Sequence, residues 1–272
     1  YLYFKAKLYI KYFINYFVKK NIDLIIVWNG SNIVAASASQ VAKSLGIENL
    51  YLEGGFFPGT IVMDTEGVNA KSSLMNNDKE FYEDLEIDED ECNLINNISL
   101  EQRQLRTNKK VITEEKNDLP SKFVFLPLQV HSDSKIILNS PLIDDMYQLV
   151  DEVYDSLQIF NNKYNEDYWL VVKEHPSDYG RINYNDLKEK YKNKKVIFLT
   201  KESAEKLIEK SELVVTINST VGLESLSRGK NVITLGKAFY NINDLVYSCH
   251  SLAEIPDKIA EAIKDDFDYE LA

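Results

Sequence analysis

Apolar runs that end in polar turns, followed by stretches of helical period, set the expected architecture. The clearest unit lies at residues 212–229. Leu213-Val-Val-Thr-Ile217 reads as a strand buried on both faces, because it is apolar and β-branched with no polar alternation. Asn218, Ser219 and Thr220 end that run with residue types that cap helices. Leu223 and Leu226 then return at helical spacing, and Gly229 supplies a stop. A strand that turns tightly into a helix aims backbone N–H groups at the turn, backed by the positive end of the helix dipole. Two hydroxyls at that spot suit a phosphate. Taken alone, an ordinary capped helix accounts for the same residues.

A second apolar run, 168–172, ends in Lys173, Glu174 and His175, and Pro176 turns the chain out of the strand. Ligands of open parallel sheets bind beyond the carboxyl ends of the strands. Lys173 and His175 are therefore expected on the same crevice as Ser219 and Thr220. One histidine after a strand is usually structural; two cationic side chains and two hydroxyls together fit a nucleotide phosphate.

The remaining pattern extends the alternation. Residues 1–20 predict a buried or half-buried helix, with a preceding strand expected but not seen in the sequence. Residues 23–28 predict a buried strand, 29–32 a turn, 33–45 a helix ending near Gly46, and 49–53 a strand closed by Gly54 and Gly55. From Phe56 to Asn69 the pattern is irregular, as in a functional loop. Residues 78–91 hold nine acids against one lysine and read as a solvated helix or excursion. A boundary at Pro120 gives two α/β domains, 1–119 and 120–272. In the second, strands are expected at 122–130, 168–172, 196–199, 213–217 and 231–235. Helices are expected at 143–160, 183–192, 204–210 and 253–264, with His131 to Ser134 as a loop. This is the rhythm of a parallel sheet covered on both faces.

Composition narrows the function. The net charge of −12 over 272 residues argues against nucleic-acid binding, which calls for a basic face. Cys92 and Cys249 are far apart and in no metal-ligand spacing, so they read as free structural thiols of a reducing compartment. Lys5, Lys7 and Lys11 interrupt the apolar N-terminal segment, which makes it a poor membrane span and leaves peripheral lipid contact as the lesser reading.

Several segments, in this order, carry a resemblance. They are Leu52-Glu-Gly-Gly-Phe-Phe-Pro-Gly59, Glu66-Gly-Val-Asn-Ala-Lys-Ser-Ser73, Leu126-Pro-Leu-Gln-Val-His-Ser-Asp-Ser134, Val172-Lys-Glu-His-Pro176, and Thr216-Ile-Asn-Ser-Thr-Val-Gly-Leu-Glu224 through Gly236-Lys-Ala-Phe-Tyr240. The chain resembles the bacterial capsule polysaccharide biosynthesis family, the KpsS/KpsC-type Kdo transferases. The resemblance implies two facing Rossmann-like domains (GT-B-like), an incomplete N-terminal acceptor-side domain and a C-terminal nucleotide-donor domain. It implies a metal-independent glycosyltransferase without cofactor, moving 3-deoxy-octulosonate (Kdo) from CMP-Kdo to a lipid-linked or glycan acceptor. The implied place is the cytoplasm, at the inner face of the inner membrane. In that scheme Lys173, His175, Ser219 and Thr220 hold the CMP phosphate, and Glu224 reaches the ribose. Glu53 matches the base, and Asp133 matches the nucleophile of a retaining reaction; domain closure would bring the two together. Lys135 departs from the glutamine expected there. Another donor, a CDP-polyol or UDP-sugar, and a non-catalytic nucleotide-binding subunit remain open alternatives.

Overall fold

The computed structural model describes residues 1–55, 60–77, 79–86, 88, 90, 118–131 and 134–268. These fall into two compact units. One is built on residues 1–77; the other comprises residues 118–268 with a short helix, α3 (Lys79–Glu83). Cys92, Asp133 and residues 78, 87, 89 and 91 of the acidic stretch lie outside the described residues.

The second unit centres on a six-stranded sheet of β4 (Phe123–Pro127), β5 (Trp169–Lys173), β6 (Val196–Leu199), β7 (Leu213–Thr216), β8 (Val232–Thr234) and β9 (Tyr247–Ser248). Its order is β6-β5-β4-β7-β8-β9, and every pair is parallel. In order of appearance this is 3-2-1-4-5-6, the doubly wound dinucleotide-binding order. All five residues of β4, like all of β7 and β8, are buried. One face packs Val124, Leu126, Leu170 and Val215 against α5 (Met146–Tyr164) and α9 (Ile255–Lys264). The other packs Phe123, Phe125, Val171 and Val214 with Leu207 and Ile208 of α7 (Ala204–Lys210) and Leu226 of α8 (Thr220–Leu226). Each fully buried side chain of this size contributes about 1.5–3 kcal/mol, so two covered faces make the unit's main core. Helix α6 (Asn185–Tyr191) follows β5.

Two elements here went unforeseen. A short helix, α4 (Ser134–Asn139), begins where the expected loop from His131 to Ser134 was to end, and β9 adds a sixth strand of only two residues.

The first unit departs further from expectation. It contains α1 (Leu2–Lys20), β1 (Leu24–Trp28), α2 (Ile33–Ser44), β2 (Glu48–Gly54) and β3 (Ile61–Asp64). Strand β1 pairs with β2 in parallel, but β3 runs antiparallel to β2 within the stretch expected to be irregular. The apolar run 23–28 is not a buried strand: Val27 is buried, while Ile26 is 62% and Trp28 57% exposed. The run is apolar on both faces, but the two described helices cover only one. Helix α1 is likewise not buried or half-buried throughout. Phe17 is its only buried residue, packed with Phe13 against Val41 and Ala42 of α2.

Candidate functional site

The candidate site of the second unit is built at the carboxyl ends of β4, β5 and β7. Between β4 and β7 the strand order reverses, and their pairing ends at Phe125↔Val214, whereas β4 and β5 stay paired to Pro127↔Lys173. The chain leaving β4 and the chain leaving β7 are joined instead by side chains. Gln129 Nε2 donates to Asn218 Oδ1 at 2.9 Å, and the Asn218 backbone N–H donates to Gln129 Oε1 at 3.1 Å. Both bonds are buried, so the amide of Gln129 completes a ladder that the backbone has abandoned. On its other side the same loop is tied to the turn after β5, where Asp178 Oδ2 accepts from the His131 N–H at 3.1 Å.

Around that brace the predicted residues take distinct places. Ser219 is the N-cap of α8, and its hydroxyl oxygen accepts from Val221 N–H at 3.2 Å. Its carbonyl accepts a short hydrogen bond from the hydroxyl of buried Tyr240, whose ring fills the space beside Gly222; a Cβ at Gly222 would collide with it. Thr220 is half-buried at the first turn. His175 is the N-cap of the turn at Pro176–Asp178; its Nδ1 accepts from Ser177 N–H at 3.1 Å, which puts the proton of the neutral ring on Nε2. Lys173 is only 9% exposed, and its amine lies 3.4 Å from the Glu174 carbonyl. Burial lowers the pKa of that amine, with the Glu174 carboxylate opposing the shift. Glu174 itself is buried and pairs with Lys188 of α6 at 2.5 Å. Glu224 is half-buried one turn along α8, and its carbonyl accepts from Arg228 at 2.9 Å. A wide cavity elsewhere in the unit, about 1130 Å³, is lined by Asp244, Glu254, Asp257, Glu261 and Asp265 beside His250 and Lys258, a lining ill-suited to a phosphate.

In the first unit, Glu53 closes β2. It accepts a short hydrogen bond from the Asn29 side chain, in the turn after β1, and one from its neighbour Gly54 N–H at 3.1 Å. Both residues sit at the carboxyl ends of the parallel pair. A carboxylate that the sequence did not single out is more completely held. Asp64 accepts from the N–H groups of Glu66, Gly67 and Ser73 and from the hydroxyls of Ser72 and Ser73, all between 2.7 and 2.9 Å. Burial alone would raise its pKa, but these donors outweigh it and hold the carboxyl at about 2. Asp64 thereby shapes the loop carrying Glu66 to Ser73. The signal was a lone acid at the end of an apolar run with paired serines eight and nine residues on.

The sequence profile described as "Capsule polysaccharide biosynthesis protein" matches residues 92–258. The chain belongs to the capsule polysaccharide biosynthesis protein family. The matched stretch holds Gln129, His175, Asn218 and Ser219, whereas Glu53 and Asp64 precede it. Protein FixF of Sinorhizobium fredii is 34% identical over 237 residues, 87% of this chain and 54% of that protein. The Capsule polysaccharide export protein KpsS of Escherichia coli is 32% identical over 149 residues, 53% of this chain and 37% of that protein. The chain thus spans about half the length of the first of these relatives, and less of the second. Among solved structures, the fold is similar to Thermosulfurimonas dismutans KpsC, beta Kdo 2,7 transferase. The TM-score is 0.58 at 20% identity, covering 92% of this chain and 79% of that one. Methanocaldococcus jannaschii UDP-GlcNAc 2-epimerase, solved with UDP-GlcNAc and UDP, gives a TM-score of 0.50 at 15% identity, covering 97% of this chain and 75% of that one. At these identities the likeness is one of fold.

Proposed function

We propose that this capsule-family chain is a retaining Kdo transferase that uses CMP-Kdo as donor and a lipid-linked capsule glycan as acceptor. The two units are then the acceptor-side and donor-side domains of a GT-B-like enzyme, with their boundary near residue 120. The observation that carries the reading is the braced switch point between β4 and β7, with Ser219, Thr220 and His175 around it, in a chain whose fold is similar to a solved Kdo transferase.

In this scheme the CMP phosphate sits against Thr220, Ser219 and the Nε2–H of His175, with Lys173 supplying charge from below. Donors fixed in advance stabilise the charge that develops as CMP departs. Glu224 hydrogen-bonds the ribose. Asp133 attacks the anomeric carbon, and its C–O bond forms as the bond to the CMP phosphate oxygen breaks. Glu53 then takes the proton of the acceptor hydroxyl, whose oxygen displaces Asp133 and restores the original configuration. Asn29 orients Glu53 for that step.

Purified protein given CMP-Kdo and capsule acceptor should release CMP and extend the glycan. Without acceptor, Asp133 should gain the mass of one Kdo. Asp133→Asn should abolish transfer yet keep CMP affinity within about a factor of three, less than 1 kcal/mol. Turnover of a CDP-polyol or UDP-sugar instead, CMP binding without turnover, or near-native transfer by Asp133→Asn would overturn the reading.

A further inference from the structure

Helix α1 has a composition that neither the fold nor the proposed chemistry uses. In a chain of net charge −12 it carries Lys5, Lys7, Lys11, Lys19 and Lys20 and no acid over 19 residues. Packing on α2 occupies one stripe, through Phe13 and Phe17. Away from that stripe, Phe4, Leu8, Tyr12 and Tyr16 follow one another at i, i+4 along a continuous ridge. Phe4 is 65% and Leu8 53% exposed, and the rings of Tyr12 and Tyr16 stack at 5.7 Å. The ammonium groups of Lys5 and Lys7 lie 4.5 Å from the ring centres of Tyr1 and Tyr3, so cations and aromatics are interleaved rather than segregated.

We propose that α1 seats the protein on an anionic lipid bilayer, lying along the surface. An apolar ridge left in water is unfavourable, and its aromatic side chains are of the type that settles at a membrane interface. The interleaved lysines select the charge of that interface: anionic headgroups complement five cations with no acid among them, while the acidic remainder of the chain is repelled. The helix lies on the bilayer rather than across it. Among the described residues no helix is long and apolar enough to span, and lysines at positions 5, 7 and 11 would have to enter hydrocarbon. The inference stands on α1 alone and survives if the proposed chemistry fails.

Flotation of the full chain with phosphatidylglycerol-containing and pure phosphatidylcholine vesicles tests it. The protein should float with the former only, and raised salt should release it. The triple variant Lys5→Gln, Lys7→Gln, Lys11→Gln should lose about a hundredfold in partitioning, from about fivefold per lysine. Phe4→Ser with Leu8→Ser should also lose most binding while far-UV circular dichroism stays unchanged. Equal binding to both vesicle types, no binding to either, or an unaffected lysine variant would overturn the proposal. So would an α1-dependent dimer, seen by light scattering, that anionic vesicles do not dissociate.

Discussion

The two sheets start from similar sequence and end in different surroundings. Strand β7 and strand β1 are both short, apolar and β-branched-rich, and both lead through an Asn-containing turn into a helix capped by Ser219 or Asn32. Strand β7 is buried along its whole length, between α9 on one face and α8 on the other. Strand β1 has helices against Ile25 and Val27, while Leu24, Ile26 and Trp28 of the alternate face are exposed, as is Met63 on β3. The run of apolar residues states what a strand can bury. What covers it is set elsewhere in the chain.

The largest test of this contrast is Leu170→Ala in β5. Leu170 is fully buried between strand neighbours and the α5 side of the core. Removing its branched end leaves a cavity that close-packed neighbours fill only in part, so urea unfolding should show a loss of about 2–5 kcal/mol. A loss under about 1 kcal/mol would mean that the six-stranded sheet is no better packed than the three-stranded one.

The next test lies in the first unit, where a hydrogen-bonded carboxylate adds to the smaller apolar clusters. Asp64 is held at about 2, below the ordinary 3.8 of a free aspartate. A depressed folded-state value contributes stability that is fully present above pH 3.8 and is lost as pH falls towards 2. At about 1.4 kcal/mol per unit this amounts to roughly 2 kcal/mol. Acid titration of the wild type, followed by amide exchange at residues 64–74, should show that loss between pH 4 and 2, and Asp64→Asn should be weakened already at pH 7 with a flat acid limb. An acid limb unchanged in Asp64→Asn would assign the loss to other groups.

A third test concerns the brace at the switch point. Gln129→Leu removes both buried hydrogen bonds that join it to Asn218, a cost of about 1–3 kcal/mol. Nucleotide affinity should fall with it, because the turn carrying Ser219 loses its tie to β4. Calorimetry showing unchanged CMP affinity alongside reduced stability would separate the brace from the binding site.

How much was legible follows from where the information lies. Strands β4, β5, β6, β7 and β8 were expected within a few residues, because burial on two faces demands unbroken apolar runs. The Ser219 cap was legible because capping is local. Strand β3 was not, since Ile61 to Asp64 sits among turn residues and becomes a strand only by pairing with β2. The bond between Gln129 and Asn218 joins residues 89 apart, and nothing local marks either as the other's partner. Lys173 was expected to face the crevice from its place at a strand end, yet the structure buries its amine. Reading a strand's end locates a loop; reading which way the last side chain turns requires its neighbours on both sides.

The smallest expected effect is the most direct check on the open face. Ile26→Thr keeps a β-branched side chain in β1, so the backbone preference for the strand is retained. It removes apolar surface that is 62% exposed in the folded protein and therefore mostly in water on both sides of the unfolding equilibrium. The mutation should change stability by no more than about 0.5 kcal/mol, the range of ordinary surface substitutions. Thermal melts of Ile26→Thr and Leu170→Ala side by side would then differ widely from two changes in apolar strand residues. A loss above about 1 kcal/mol at Ile26 would show that the alternate face of β1 is covered in solution, which would make the two sheets alike.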